Sequence, residues 1–222
     1  MGKNVLYVGS GTSSLLVENK TITNHTIVCV NNAWRLFKNN GFDIWIHSGD
    51  FPYYAYPENT IYKKEITHRE YKISSQEAAE KLNWVTDSPQ HYLGYSIFFQ
   101  GLYWIMMTLK PKKIGLLGFD FDYNDEKVKK WIDNKKPNIQ NDFNEKNGVK
   151  DIFNWANSFF GDMDVDSFYG HGLPDPLRLG TEHLIERFKL AEDSAKKLNI
   201  EIVNYSTVTG KINTFKKEKL FL

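Results

Sequence analysis

Asn4-Val5-Leu6-Tyr7-Val8-Gly9-Ser10-Gly11-Thr12-Ser13-Ser14 is the stretch that decides the fold: an apolar run that breaks into a glycine-rich turn. A short apolar run bounded by turn residues reads as a buried strand. The pattern recurs along the chain. Thr26 to Val30 ends in Asn31-Asn32, and Asp43 to His47 ends in Ser48-Gly49-Asp50. Ile114 to Gly118 ends in Phe119-Asp120-Phe121-Asp122, and Ile200 to Asn204 ends in Tyr205-Ser206. Each run has polar or glycine residues directly after its carboxyl end. In open parallel sheets that is where the ligand crevice lies.

Helical patterns fill the gaps. Leu184, Phe188, Ala191, Ala195 and Leu198 step by four, three, four and three, which makes one face of a helix from about Thr181. Thr181 suits its cap and Glu182 its positive end. Tyr95 to Leu109 reads as a largely buried helix feeding the Ile114 strand. Alternation of strand and helix predicts a doubly wound α/β fold. It is expected as a single Rossmann-like domain over residues 1–222, with a mostly parallel twisted sheet flanked by helices. The charged, Asn-rich stretch at about 123–166 reads as a lid-like insertion. In Pro52 to Ser88 only an edge strand at Thr60 to Lys63 is suggested.

Composition narrows the class. Hydrophobic residues make up 41% and charged residues 25%, enough for a real core. The net charge of +1 gives no global case for nucleic acid. Three short lysine runs, at Lys110, Lys112 and Lys113, at Lys127, Lys129 and Lys130, and at Lys216, Lys217 and Lys219, read as solvated faces or as a phosphate-facing edge. Aromatic residues, at 15%, offer stacking surfaces between the strands. Cys29 is the sole cysteine, so no intrachain disulfide can form; it is expected to be buried and inert in a reducing compartment. There is no basic-then-apolar leader, and Tyr95 to Leu109 is too short and interrupted to span a bilayer. A cytoplasmic protein with no integral membrane segment is expected.

Gly9-Ser10-Gly11 fits the first two glycines of a phosphate-binding turn, where glycine lets the backbone approach a pyrophosphate and free N–H groups donate to it. A plain tight turn has the same letters, but the position directly after the first strand favours a ligand. Ser14 replaces the third glycine of the dinucleotide fingerprint, and Asn31-Asn32 stands where an acidic ribose ligand belongs, so full dinucleotide binding is disfavoured. A side chain at Gly11 is expected to occupy the phosphate's place while leaving the fold intact. Asn31 and Asn32 either read a base or ribose or cap a helix beginning at Ala33-Trp34. His47, Ser48 and Asp50 either face the crevice or form a polar turn. Asp120 and Asp122, like Asp162, Asp164 and Asp166, have the spacing of carboxylates that hold a divalent ion and a diphosphate. For Asp120 the stronger reading is structural, holding the end of its strand. His171 lies in a Gly- and Pro-rich loop, where a fixed imidazole can take a proton from a hydroxyl. Arg178 is placed to hold phosphate or carboxylate.

Gly9-Ser10-Gly11-Thr12-Ser13, Cys29-Val30-Asn31-Asn32, Leu109 to Phe121, and Gly170-His171 ahead of a helix and the Ile200 strand follow one another in an order that resembles the bacterial sialyltransferases that build lipooligosaccharide. That family shows an Asn-Gly-Pro-Ser turn, a Cys-Asn strand end, a Gly-x-Asp-Phe strand end and a Gly-His before its last helix. A related group with the same Gly-x-Asp end includes pterin pyrophosphokinase-like enzymes and phage proteins. The resemblance implies a Rossmann-type domain, a nucleotide-activated sugar donor, inversion at the sugar carbon and no metal requirement. It places Gly9, Gly11 and Ser13 at the donor phosphate, Asn31 at the nucleotide and His171 as the base. His47 stands where the family has a nucleotide-binding Asn. Asp122 stands where it has a leaving-group tyrosine, with Tyr123 one place on and Tyr169 as a substitute.

The expected function is glycosyl transfer from a CMP- or UDP-linked donor to a hydroxyl. His171 would deprotonate the acceptor, and Arg178 or Tyr123 would neutralise the leaving phosphate. The acceptor is a glycan, or a hydroxymethylated pyrimidine in phage DNA. Two alternatives stay open: a magnesium-dependent pyrophosphokinase-like transferase, and a non-catalytic nucleotide-binding module.

Overall fold

A computed structural model describes residues 4–48, 56–84, 90–93, 96–120, 182–207 and 213–221. Among the described residues seven strands form one sheet: β1 (Asn4–Val8), β2 (His25–Val30), β3 (Phe42–Ile46), β4 (Tyr62–Ile66), β5 (Lys113–Leu117), β6 (Glu201–Asn204) and β7 (Lys216–Lys217). Their order is β4-β3-β2-β1-β5-β6-β7, and every pair is parallel. The chain steps outward from β1 to β4, then returns to the other side of β1 to lay down β5. The strand order therefore reverses between β1 and β5, and that point opens a crevice beyond their carboxyl ends.

The apolar runs that mark the strands are buried on both faces, as parallel strands require. Val5, Tyr7, Val28, Val30, Ile44 and Ile46 join one core cluster. Leu6, Val8, Ile27, Cys29, Trp45 and Leu117 join the other. Among the described residues the first face is covered by α1 (His68–Lys81), α3 (Ile97–Trp104) and α4 (Glu182–Lys197), with the short α2 (Gln90–Leu93) beside α4. The second face is covered by two 3₁₀ segments, Thr12–Val17 and Asn31–Phe37. Two cores divided by one parallel sheet make a Rossmann-like α/β fold.

The stepped apolar face of α4 is buried as its periodicity implies, with Phe188, Ala191 and Ala195 fully enclosed. The helix read over Tyr95 to Leu109 starts at Ile97, where the Ser96 hydroxyl caps Phe98 N–H at 3.2 Å, and its last turn, Ile105–Leu109, widens into a π-helix. The helix expected from Ala33-Trp34 begins at Asn31 and is 3₁₀ rather than α. The edge strand expected at Thr60 to Lys63 runs over Tyr62–Ile66, two residues later at its start and three at its end. Helix α1 and strand β7 carry no expectation from the sequence. Cys29 is buried, and burial raises its thiol pKa well above the usual range, which disfavours the reactive thiolate. Among the described residues no helix is long and apolar enough to cross a membrane. The lid-like stretch 123–166 lies outside the described residues.

Candidate functional site

The crevice is built by the residues that leave β1, β5 and β6. After Val8 the chain crosses directly onto the end of β5: Gly9 N–H donates to Leu117 O at 2.8 Å and Gly11 N–H to Gly118 O at 2.7 Å. Such close contact requires glycine. A Cβ on Gly9 would lie 2.6 Å from Gly118 O, and one on Gly11 would lie 2.6 Å from Asp120 Oδ2 and 2.7 Å from Gly118 O. Gly118 turns the end of β5 with φ +74°, a conformation few other residues adopt. The space beside Gly11 is thus filled by Asp120. A side chain at Gly11 meets the protein itself, so destabilisation is expected beside any effect on a ligand.

Asp120 gathers three strand ends. Its Oδ2 accepts from Ser13 N–H at 2.8 Å, and its Oδ1 accepts from the Ser13 hydroxyl and from the Ser206 hydroxyl, the latter at 2.6 Å. The Ser13 oxygen in turn accepts from Gly118 N–H at 3.1 Å. Ser206 is fixed by its own N–H, which donates to Asn204 Oδ1 at 2.8 Å. The structural role read for Asp120, holding the end of its strand, is the one its bonds describe. Ser206 was not singled out in the sequence. Its only signal is its place just beyond an apolar run.

The other candidates divide into those at the crevice and those turned inward. Ser10 is partly exposed at the crest of the first turn, and no hydrogen bond among the described residues uses its N–H. Thr12 opens the 3₁₀ segment behind it. Asn31 takes a left-handed conformation, φ +46°, which asparagine tolerates. Its Oδ1 accepts Ser48 N–H at 3.0 Å and its backbone O accepts Trp45 Nε1 at 3.1 Å, joining the ends of β2 and β3. The amide is thereby oriented, and its Nδ2 donor enters no hydrogen bond among the described residues. Asn32 is 2% exposed and sits within the 3₁₀ segment.

His47 is 6% exposed. Its ring stacks on Trp45 with centroids 4.3 Å apart, its Nε2 meets Glu65 Oε1 at 3.1 Å, and its Nδ1 meets Ser48 O at 3.0 Å. Glu65 also accepts from Tyr62 OH at 3.2 Å. His47 therefore links β3 to β4, through a partner that nothing in Tyr62-Lys63-Lys64-Glu65 announces. Asp50, Asp122, Tyr123, Asp162, Asp164, Asp166, Tyr169, His171 and Arg178 lie outside the described residues. Among the described residues no group of three or more His, Cys, Asp or Glu side chains is placed to hold a metal ion.

The described strand ends thus bring Gly9, Ser10, Gly11, Ser13, Asp120 and Ser206 together at the β1/β5 switch point, with Asn31 at the neighbouring end of β2. Adjacent strands are about 5 Å apart, so a small ligand can touch both ends. Comparison with protein-family models, with curated proteins and with solved structures finds no match.

Proposed function

We propose that this chain is a glycosyltransferase-like enzyme that holds a pyrimidine nucleotide sugar at the β1/β5 switch point and passes the sugar to an acceptor hydroxyl. The observation that carries this reading is the pair of hydrogen-bond donors at neighbouring strand ends, Ser10 N–H and Asn31 Nδ2, which enter no hydrogen bond among the described residues, while the Asp120 carboxylate and Asn31 Oδ1 already accept from the protein. A rim of this polarity selects a ligand rich in acceptors. Phosphate oxygens suit the glycine turn, and a ribose or base oxygen suits the amide. The order of strand-end motifs described above supports a sugar donor. His171 acts as base on the acceptor hydroxyl, and Arg178 or Tyr123 neutralises the departing phosphate. The reaction requires no metal cofactor, and the acceptor is a glycan or a DNA base bearing a hydroxymethyl group.

Thermal unfolding in the presence of CMP, UMP, their sugar conjugates, and ATP with magnesium tests this. A ligand at one hundred times its Kd adds about 2.7 kcal/mol, which at this size raises Tm by about 5–10 °C. Stabilisation by a pyrimidine nucleotide sugar, lost in Asn31→Asp, is the expected result. Stabilisation by ATP–magnesium alone would replace the proposal with pyrophosphoryl transfer. No response to any nucleotide would refute it.

A further inference from the structure

We propose that Asp120 is the positioning residue of this site: its carboxylate clamps the Gly9–Ser13 turn to the ends of β5 and β6 and so fixes where Ser10 N–H meets a ligand phosphate. The inference rests on the nucleotide reading above and assigns Asp120 a role distinct from metal or substrate contact. A carboxylate offers about four lone-pair positions and no proton. Ser13 N–H, the Ser13 hydroxyl and the Ser206 hydroxyl already occupy three of them. A cation or a ligand hydroxyl at Asp120 would have to displace one of these donors.

The clamp has a fixed polarity. Ser13 Oγ accepts from Gly118 N–H, which directs its own proton toward Asp120. Ser13 N–H cannot reverse its direction at all. An ionised aspartate satisfies every donor, whereas an asparagine must turn its NH₂ group toward at least one of them. The contact also explains why Gly11 has no side chain, because Asp120 lies where its Cβ would be. The strands on either side are paired without this bond. Loss of the clamp should therefore loosen the turn more than it unfolds the sheet.

The test compares wild type with Asp120→Asn and Ser206→Ala, using CMP and UMP as probes. Calorimetry reads affinity, thermal melting reads global stability, and NMR reads the Ser13 and Gly118 amides. Asp120→Asn should weaken the bound nucleotide at least tenfold, the scale of a lost hydrogen bond to a charged group. The Ser13 amide proton should also move upfield as its charged acceptor disappears. Ser206→Ala, which removes one donor and retains the carboxylate, should weaken binding by a smaller factor. Unchanged affinity in a folded Asp120→Asn overturns the proposal, as does weakened binding with an unmoved Ser13 amide. If wild type binds neither CMP, UMP nor their sugar conjugates, the nucleotide-sugar reading fails by itself. The clamp is then decided by hydrogen exchange: faster Ser13 and Gly118 exchange in Asp120→Asn supports it, and unchanged exchange overturns it.

Discussion

Replacing Gly11 by alanine separates a glycine required by the protein from one required by a ligand. The Gly11 backbone has φ −70° and ψ 159°, angles that any residue adopts. Were the position open, the substitution would stabilise the chain by about 0.4–1 kcal/mol through the unfolded state. Instead the new Cβ would lie 2.6 Å from Asp120 Oδ2, 2.7 Å from Gly118 O and 2.9 Å from Asp120 Cγ. Forcing a methyl group into such a contact costs about 1–3 kcal/mol. Moving the carboxylate away loosens its bond to Ser13 N–H, a charge-assisted bond worth about 1.5–3 kcal/mol. The net expectation is destabilisation of about 2–4 kcal/mol, which lowers Tm by roughly 5–15 °C. Urea unfolding with no ligand present measures it. Adding Asp120→Ala should cost less in the Gly11→Ala background than in wild type, because one of the two clashes disappears while Gly118 O remains. A Gly11→Ala protein as stable as its parent, or a double mutant whose cost is strictly additive, would refute the steric account.

His25 should make the protein lose stability on mild acidification. Burial first and the Lys113 charge second lower its pKa below 6.5. The unfolded chain therefore takes up a proton near pH 6.5 before the folded one does, and stability falls as pH drops from there through the folded pKa. His25→Gln should flatten that limb, and an unchanged pH profile would count against it. In the middle of β5, Gly115→Ala should destabilise because its Cβ would fall on the Tyr205 ring, and a smaller side chain at Tyr205 should recover part of the loss. If the proposed reaction holds, His171→Ala should lower turnover about 10²–10⁴-fold while leaving donor affinity nearly unchanged. Near-normal turnover at saturating substrates would place the base elsewhere. Activity should also survive EDTA, and its complete loss, restored by manganese or magnesium, would point to the aspartate pairs instead.

The strands were legible because a parallel strand buried on both faces is written as an uninterrupted apolar run, and Asn4–Val8 needs no further context. Helix α1 was not legible for the converse reason. The residues it buries include Tyr71, Ser74, Ser75 and Ala78, and the two serines interrupt the apolar stripe between the tyrosine and the alanine. Its one local mark is Thr67, whose N–H donates to Glu70 Oε2 at 2.9 Å, the reach-back of a capping box. Strand β7 is two exposed lysines and has no pattern to read. At the site, the positions were visible and most of the bonds were not. Ser13 lies 107 residues from Asp120, and Asp120 lies 86 from Ser206. Which polar side chain meets which is fixed by the strand order, and no local spacing encodes that order.

The glycine turn shows what this means for reading function. Gly9-Ser10-Gly11 is the pattern of a backbone approaching a phosphate, yet here both glycines lie against the end of β5 and their N–H groups donate to Leu117 and Gly118. The glycines record the contact of two turns. The residue that the proposed nucleotide reading assigns to a ligand is the one between them, Ser10, which is partly exposed while its neighbours are drawn down onto β5. A switch point needs both properties together, since the turn must be anchored before one of its N–H groups can be held outward at a fixed height. In this chain the anchor is the Gly118-Phe119-Asp120 end of the strand beside β1. A glycine pair after a first strand thus becomes informative when a glycine and an acceptor-only side chain follow the strand that lands next to it. Asp120 meets that requirement, and Ser10 N–H is a donor of the anchored turn that enters no hydrogen bond among the described residues.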